Sequence, residues 1–422
     1  MKIQMPNEVK FILSILNSNN YEGYIVGGCV RDSLLKREPK DWDIATNAKP
    51  EEIINLFKKN YKVLPTGLKH GTVTVIINNK NYEITTYRID GEYFNNRKPN
   101  SVEFIDNIKE DLKRRDFTIN AMAYNDHVGL YDPFYGIKDL KSKKIKCVGN
   151  SGERFEEDAL RILRGVRFAT QLNFDIDNET ASAMKLKRNL LSNISKERIR
   201  DELCKILLSK KPSIGLKILK DFKLLDFIIL EYKYCCEEEF NYILSIIDNT
   251  PNNLIVRLAA LLYGIEKFIC KYELKNENVG KNILKRLKFN NKIIKLVSVL
   301  VKEDINESII AKDKIIKKLI NRVGKENIDN LFYLQIANRK ASLYDDIGDI
   351  LKLKEKVYKI LNEKHPLTVK ELDINGNDLI RVGYKKGKQI GKMLNYLLDL
   401  VLENPEINEK DILINLAKNK MR

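Results

Sequence analysis

The segment YIVGGCVRDSLLKREPKDWDIAT, Tyr24 to Thr46, constrains this chain more than any other. Tyr24 to Gly28 read as a short apolar strand ending in two glycines; CVRDSLLKR then starts a helix, and WDIAT reads as a second strand. Gly27 and Gly28 at such a junction let backbone N–H groups approach a phosphate closely, and the helix N-terminus adds positive potential. Arg31, in the first turn of that helix, can reach the same phosphate. Asp41 and Asp43 are two apart, and residues two apart in a strand share one face of the sheet. Two carboxylates on one face repel unless a cation neutralises them, and Mg²⁺ commonly takes one or two carboxylates plus phosphate oxygens. A glycine turn and a solvated DxD edge are each common as plain structure. Their combination points to a metal-bound site that handles phosphate.

The flanking patterns place this segment in a mixed domain. Residues 7 to 19 read as an amphipathic helix, and PEEIINLFKKN opens with Pro50 at a helix N-terminus. TVTVIINN and NYEITTYR alternate as two strands of a hairpin around Asn78 to Asn81. Glu83 alternates onto a face of the second strand, either as a third carboxylate facing Asp41 and Asp43 or as an acid paired with Arg88 or a nearby lysine. From Glu156 onward almost everything follows the 3.6-residue period. The expected class is α+β: a mixed β-sheet with helices over residues 1–145, then all-helical segments over 146–215, 216–345 and 346–422. A loop at HPLTVKELDINGNDLI sets off a last unit of about two helices.

Charge narrows the partner. Lys and Arg number 75 against 58 Asp and Glu, a formal net charge of +17. Such an excess suits a polyanion, either nucleic acid or an anionic membrane surface, although a Lys- and Asn-rich composition bias also raises it. The most apolar run, Leu254 to Ile265, is too short to span a bilayer and contains Arg257, so it reads as a buried helix. The N-terminus shows no signal-peptide pattern. Six cysteines without a CxxC, and three histidines, argue against structural zinc and for reduced thiols in the cytoplasm.

GGCVRDSLLKREPKDWDIATNAKPEEI resembles the first catalytic motif of the nucleotidyltransferase superfamily that contains bacterial-type (class II) tRNA nucleotidyltransferases and poly(A) polymerases. RRDFTINAMAY (Arg114 to Tyr124) and EDALRILRGVRFA (Glu157 to Ala169) resemble two further motifs of that family, and TGLKHGTVTV and TYRIDGEYFNNRKPNSV match between them. HPLTVKELDINGNDL and IGKMLNYLLDLVLENPEIN resemble the tail of the CCA-adding branch. The resemblance implies a catalytic head over 1–145, a nucleotide-reading neck over 146–215, a body over 216–345 and a tRNA-binding tail over 346–422. It implies template-independent addition of C, C and A to the 3′ end of tRNA from CTP and ATP, with Mg²⁺ on Asp41 and Asp43. No membrane partner and no particular oligomeric state is implied.

The resemblance also assigns Arg115, Asp158, Arg161, Arg164 and Arg167 to the nucleotide site. On one helix, Asp158 and Arg161 would be three apart and share a face. An aspartate only accepts hydrogen bonds and an arginine only donates them. Cytosine and adenine both offer an amino donor beside a ring-nitrogen acceptor; uracil and guanine present the reverse. One such pair can therefore accept C and A while refusing U and G, the very task the family gives these two residues. An ordinary helical ion pair is the plainer reading, and a solvated basic turn is the plainer reading of Arg114–Arg115. Leu160, Leu163, Val166 and Phe168 read as core, and His70 as structural. By resemblance, the charged loop Asp90 to Arg97 helps to switch from C to A addition. The alternatives are an A-only tRNA enzyme, a poly(A) polymerase and a non-catalytic RNA-binding protein.

Overall fold

The computed structural model describes residues 2–91, 93–94, 98–99, 101–268, 278–303, 305, 312–342 and 346–421. Part of the expected switching loop, residues 92 and 95–97, lies outside them. The chain forms two compact units, Met1–Leu230 and Glu231–Arg422.

The first unit is built on a seven-stranded sheet. Its strands are β1 (Gly23–Val26), β2 (Asp43–Thr46), β3 (Lys62–Gly67), β4 (Thr72–Ile77), β5 (Lys80–Thr86), β6 (Ala123–Asn125) and β7 (Gly129–Tyr131). They lie in the order β7-β6-β1-β2-β5-β4-β3. Only β2 and β5 run parallel; the other pairs are antiparallel. The β4–β5 hairpin turns on Asn78 and Asn79, both at positive φ (51° and 61°), which matches a type I′ turn and a residue type that tolerates it. Helix α1 (Asn7–Ser18) buries Val9, Ile12, Leu13 and Leu16, one stripe at helical spacing. A Cβ on Gly23 would come within 3.0 Å of the Leu13 side chain, so the glycine lets α1 sit close on β1. Helices α2 (Gly28–Leu34) and α3 (Pro50–Phe57) follow β1 and β2.

The same unit continues through α4 (Ile108–Lys113), α5 (Gly136–Lys141), α6 (Ser151–Glu157), α7 (Leu160–Leu172), α8 (Asn178–Lys187), α9 (Lys196–Leu207), α10 (Pro212–Asp221) and α11 (Leu225–Ile228). Two short parallel strands, Lys144–Ile145 and Asp175–Ile176, bridge the expected head and neck. Gly165 of α7 has no room for a side chain: a Cβ would lie 2.3 Å from Met184 Cε and 2.9 Å from Phe117 Cζ. That contact holds α7 against both α8 and the RRDF segment.

The second unit contains only helices among its described residues. Leu254–Phe268 is one of them, and its residues Leu258 to Leu262 are almost fully buried. The C-terminal part has three helices rather than two: Gly376–Val382, Lys388–Glu403 and Lys410–Met421. The extra one forms within the expected loop. Asn375 caps it, accepting from Asn377 and Asp378 N–H, while Asp378 accepts in return from the Asn375 N–H.

Candidate active site

Gly27 links β1 to α2 at φ 76°, a conformation that suits glycine. A Cβ there would stand 3.0 Å from Arg115 Nη1. Arg31 is buried, and donates through Nη1 to Asn120 Oδ1 at 2.7 Å and through Nε to Asp32 Oδ1 at 2.9 Å. The RRDFTIN segment is thus folded onto the glycine turn.

Asp43 is the first residue of β2, and Asp41 precedes the strand. The expectation that both acids lie within one strand is therefore corrected, since pairing begins only at Asp43 with β5 and at Ile44 with β1. The two still line one cavity. Desolvation by the surrounding protein raises the Asp43 carboxyl above its ordinary range, against the pull of Arg115 and with the push of Asp41. Glu83 is the direct cross-strand partner of Asp43. Desolvation, then Asp43 and Asp41, raise it as well. No salt bridge joins Glu83 to Arg88, which pairs with Asp90 instead. Two carboxyls, Asp43 and Glu83, raised by desolvation and by neighbouring acid charge, fit a hard divalent cation. Among the described residues no three carboxylate, imidazole or thiol groups converge as a ready-made cage. A pair of aspartates suits an ion that completes its shell with water and phosphate oxygens.

The cavity measures about 600 Å³, and seven arginines and four aspartates line it. It brings together Gly28, Arg31, Asp41, Asp43, Arg115, Asp158, Arg161, Arg164 and Arg167, every expected site residue except Glu83. Arg114 and Arg115 both pair with the buried Asp111, so they are not a solvated basic turn. Arg167 Nε donates to Glu202 at 2.6 Å. Arg164 Nε donates to Asp116 Oδ2 at 2.7 Å. Burial pushes the Asp116 carboxyl up, but Arg164 and the Asn120 amide hold it down at about 2. A carboxyl depressed on folding stabilises the fold above its unfolded pKa near 3.8, and that contribution fades as pH falls toward 2. The contribution is about 2 kcal/mol at neutral pH, and about half survives at pH 3. In urea unfolding, the stability gap between wild type and Asp116→Asn should therefore narrow by about 1 kcal/mol from pH 6 to pH 3. A constant gap would show that Asp116 is not held low.

Asp158 and Arg161 do not share a helix. Asp158 has extended geometry (φ −136°, ψ 101°) in the break between α6 and α7, and its Oδ1 accepts from the Leu160 N–H at 3.1 Å. Nor do they pair with each other. Asp158 accepts two hydrogen bonds from Arg198, at 3.1 and 2.7 Å. Arg161 Nη1 donates to Glu157 at 2.7 Å and its Nη2 to the Arg114 carbonyl at 2.9 Å. The ordinary i,i+3 ion pair is thereby overturned: the acceptor and the donor are held apart on one cavity.

Sequence reasoning missed Arg198 on α9 and took Phe168 for core alone; both line the cavity. Nothing local marks Arg198, which lies 40 residues from Asp158. His70 is not among the lining residues, and its Nδ1 is buried without a partner.

Residues 23–146 match the family described as "Poly A polymerase head domain" and 173–236 the "Probable RNA and SrmB- binding site of polymerase A". Residues 264–417 match tRNA nucleotidyltransferase domain 2. A CCA-adding enzyme of Ligilactobacillus salivarius is 37% identical over 98% of this chain and 97% of its own. One from Staphylococcus haemolyticus is 33% identical over 100% of both. The crystal structure of the Bacillus stearothermophilus CCA-adding enzyme in complex with CTP superposes with a TM-score of 0.78, at 28% identity, over 99% of this chain and 98% of that one. A poly(A) polymerase would share the head, but the relatives that match from end to end are CCA-adding enzymes, and this chain belongs to that family of tRNA nucleotidyltransferases.

Proposed function

We propose that this chain adds C, C and A in turn to the 3′ end of tRNA, without a template, in one cavity of its first unit. The observation that carries the reading is the composition of that cavity: two close aspartates, a wall of arginines, and a separated acceptor and donor, Asp158 and Arg161. The terminal 3′-hydroxyl attacks the α-phosphorus of CTP or ATP in line. The new O3′–P bond forms as the α–β phosphoanhydride breaks and pyrophosphate leaves. Asp41 and Asp43, with Glu83 beside them, would hold the divalent cation, Mg²⁺ in this reading. When bound, it lowers the pKa of the attacking hydroxyl and neutralises charge on the phosphates. Gly27 and Gly28 open the backbone to the triphosphate, and Arg31, Arg115, Arg164 and Arg167 offset its charge. No covalent intermediate is needed, which fits a cavity whose lining, among the described residues, holds no serine, cysteine or histidine.

Residues 1–145 serve as the catalytic head and 146–215 as the reading neck, while the body (216–345) and tail (346–422) grip tRNA by charge and shape through their basic helices. The compartment is the cytoplasm, where tRNA is matured. The test is direct: tRNA ending at the discriminator base is incubated with CTP, ATP or both, and the 3′ ends are sequenced. CTP alone should give CC ends and the mixture CCA. Addition of A alone, or a long A tract, would reject the assignment.

A further inference from the structure

Phe168 lies on α7 and is only 6% exposed, yet it lines the cavity. Three guanidinium carbons approach its ring centroid: Arg167 at 4.0 Å, Arg31 at 5.2 Å and Arg164 at 5.6 Å. Three like charges around one point repel, and each is offset by one carboxylate, Glu202, Asp32 and Asp116 respectively. The ring contributes something different. Its electron-rich face attracts a cation without consuming an N–H donor. A guanidinium resting against a ring keeps its in-plane N–H groups for other acceptors. Phe117 meets Phe168 edge-on, centroids 5.8 Å apart at 79°, and restrains the ring.

We propose that Phe168 is a positioning residue for the triphosphate of the incoming nucleotide. It gathers Arg31, Arg164 and Arg167 into one cluster and leaves their remaining N–H groups to phosphate oxygens. This rests on the reading of the cavity as the nucleotide site. The triphosphate is common to CTP and ATP, so Phe168 governs affinity for both alike and has no part in choosing the base.

Phe168→Leu keeps the apolar volume and removes the ring; Phe168→Tyr keeps the ring. The measurements are KM and kcat for CTP and ATP, and the inhibition constant of inorganic tripolyphosphate against CTP, with thermal melts to verify folding. Phe168→Leu should raise both KM values and the tripolyphosphate constant together, by about five- to twentyfold, with kcat within about threefold of wild type. Preference for C and A over U and G should not change, and Phe168→Tyr should restore wild-type constants. If the leucine variant melts early, Phe168→Met, also ringless, replaces it. A tripolyphosphate constant within about twofold of wild type in a folded ringless variant overturns the proposal, as do equal losses in the leucine and tyrosine variants. If tripolyphosphate does not inhibit the wild type, the nucleotide-site reading fails and takes this proposal with it. If it inhibits wild type and the ringless variant alike, only the Phe168 assignment falls.

Discussion

Asp41→Ala and Asp43→Ala should each lower transfer of both C and A by about a thousandfold or more, while tRNA binding stays near wild type. The reason lies in the electrostatics of the site. Desolvation raises the carboxyl of Asp43 and the Asp41 charge pushes it further, against the pull of Arg115, so the Asp43 carboxylate sits under electrostatic strain. A divalent cation relieves that strain, and removing either acid removes both a ligand and half the charge that attracts the ion. The arginines of the cavity remain, so nucleotide affinity should fall far less than turnover. Glu83→Gln should cost less than either aspartate, because Glu83 flanks the pair and does not line the cavity. Single-turnover extension of tRNA by CTP and ATP gives the rates, and a filter-binding titration gives tRNA affinity. Near-normal turnover in either alanine variant would remove that residue from catalysis. Parallel loss of tRNA binding would point instead to damaged folding.

What the sequence made legible was local. Two glycines after an apolar run, alternating strands and an Asn-Asn turn each act over a few residues, and those elements stand where the pattern puts them. The errors arose where a distant partner decides local geometry. EEDALRIL is made largely of helix formers, and nothing in it announces a break at Asp158. The break coincides with a bidentate bond to Arg198, 40 residues away, and with the bond that Asp158 accepts from the Leu160 N–H at the start of α7. Likewise, spacing alone pairs Asp158 with Arg161, yet Asp158 turns to the distant Arg198 while Arg161 takes Glu157, four residues back, and the Arg114 carbonyl. Phe168 was legible as buried but not as a cavity wall, because a helical period reports which face turns inward and not what that face meets.

That separation of Asp158 from Arg161 leads to the sharpest expectation, which concerns base choice. Opposite charges three residues apart tend to close on each other, and a closed pair would turn the two groups toward each other rather than toward a base. Here Arg198 engages Asp158 and Glu157 engages Arg161; a carboxylate accepts more than two hydrogen bonds and a guanidinium donates five, so both keep spare capacity on the one cavity they line. If they read the pairing edge, Asp158 receives the amino hydrogen of C or A and Arg161 donates to the neighbouring ring nitrogen. U and G would set a carbonyl against Asp158 and an N–H against Arg161, repulsive at both positions. Arg161→Ala should therefore slow addition of C and A while relaxing the refusal of U and G. A hydrogen bond from a charged group is worth about 1.5–3 kcal/mol, so roughly ten- to hundredfold of discrimination is at stake. Because Arg161 also bonds Glu157 and the Arg114 carbonyl, its removal costs some stability, which a thermal melt registers separately. The decisive quantity is kcat/KM for CTP, ATP, UTP and GTP in wild type and variant. If the first two fall and the last two hold or rise, the pair reads the base. If all four fall by one factor, Arg161 only braces the site, and selection between bases must lie in other residues even though the chain remains a CCA-adding enzyme.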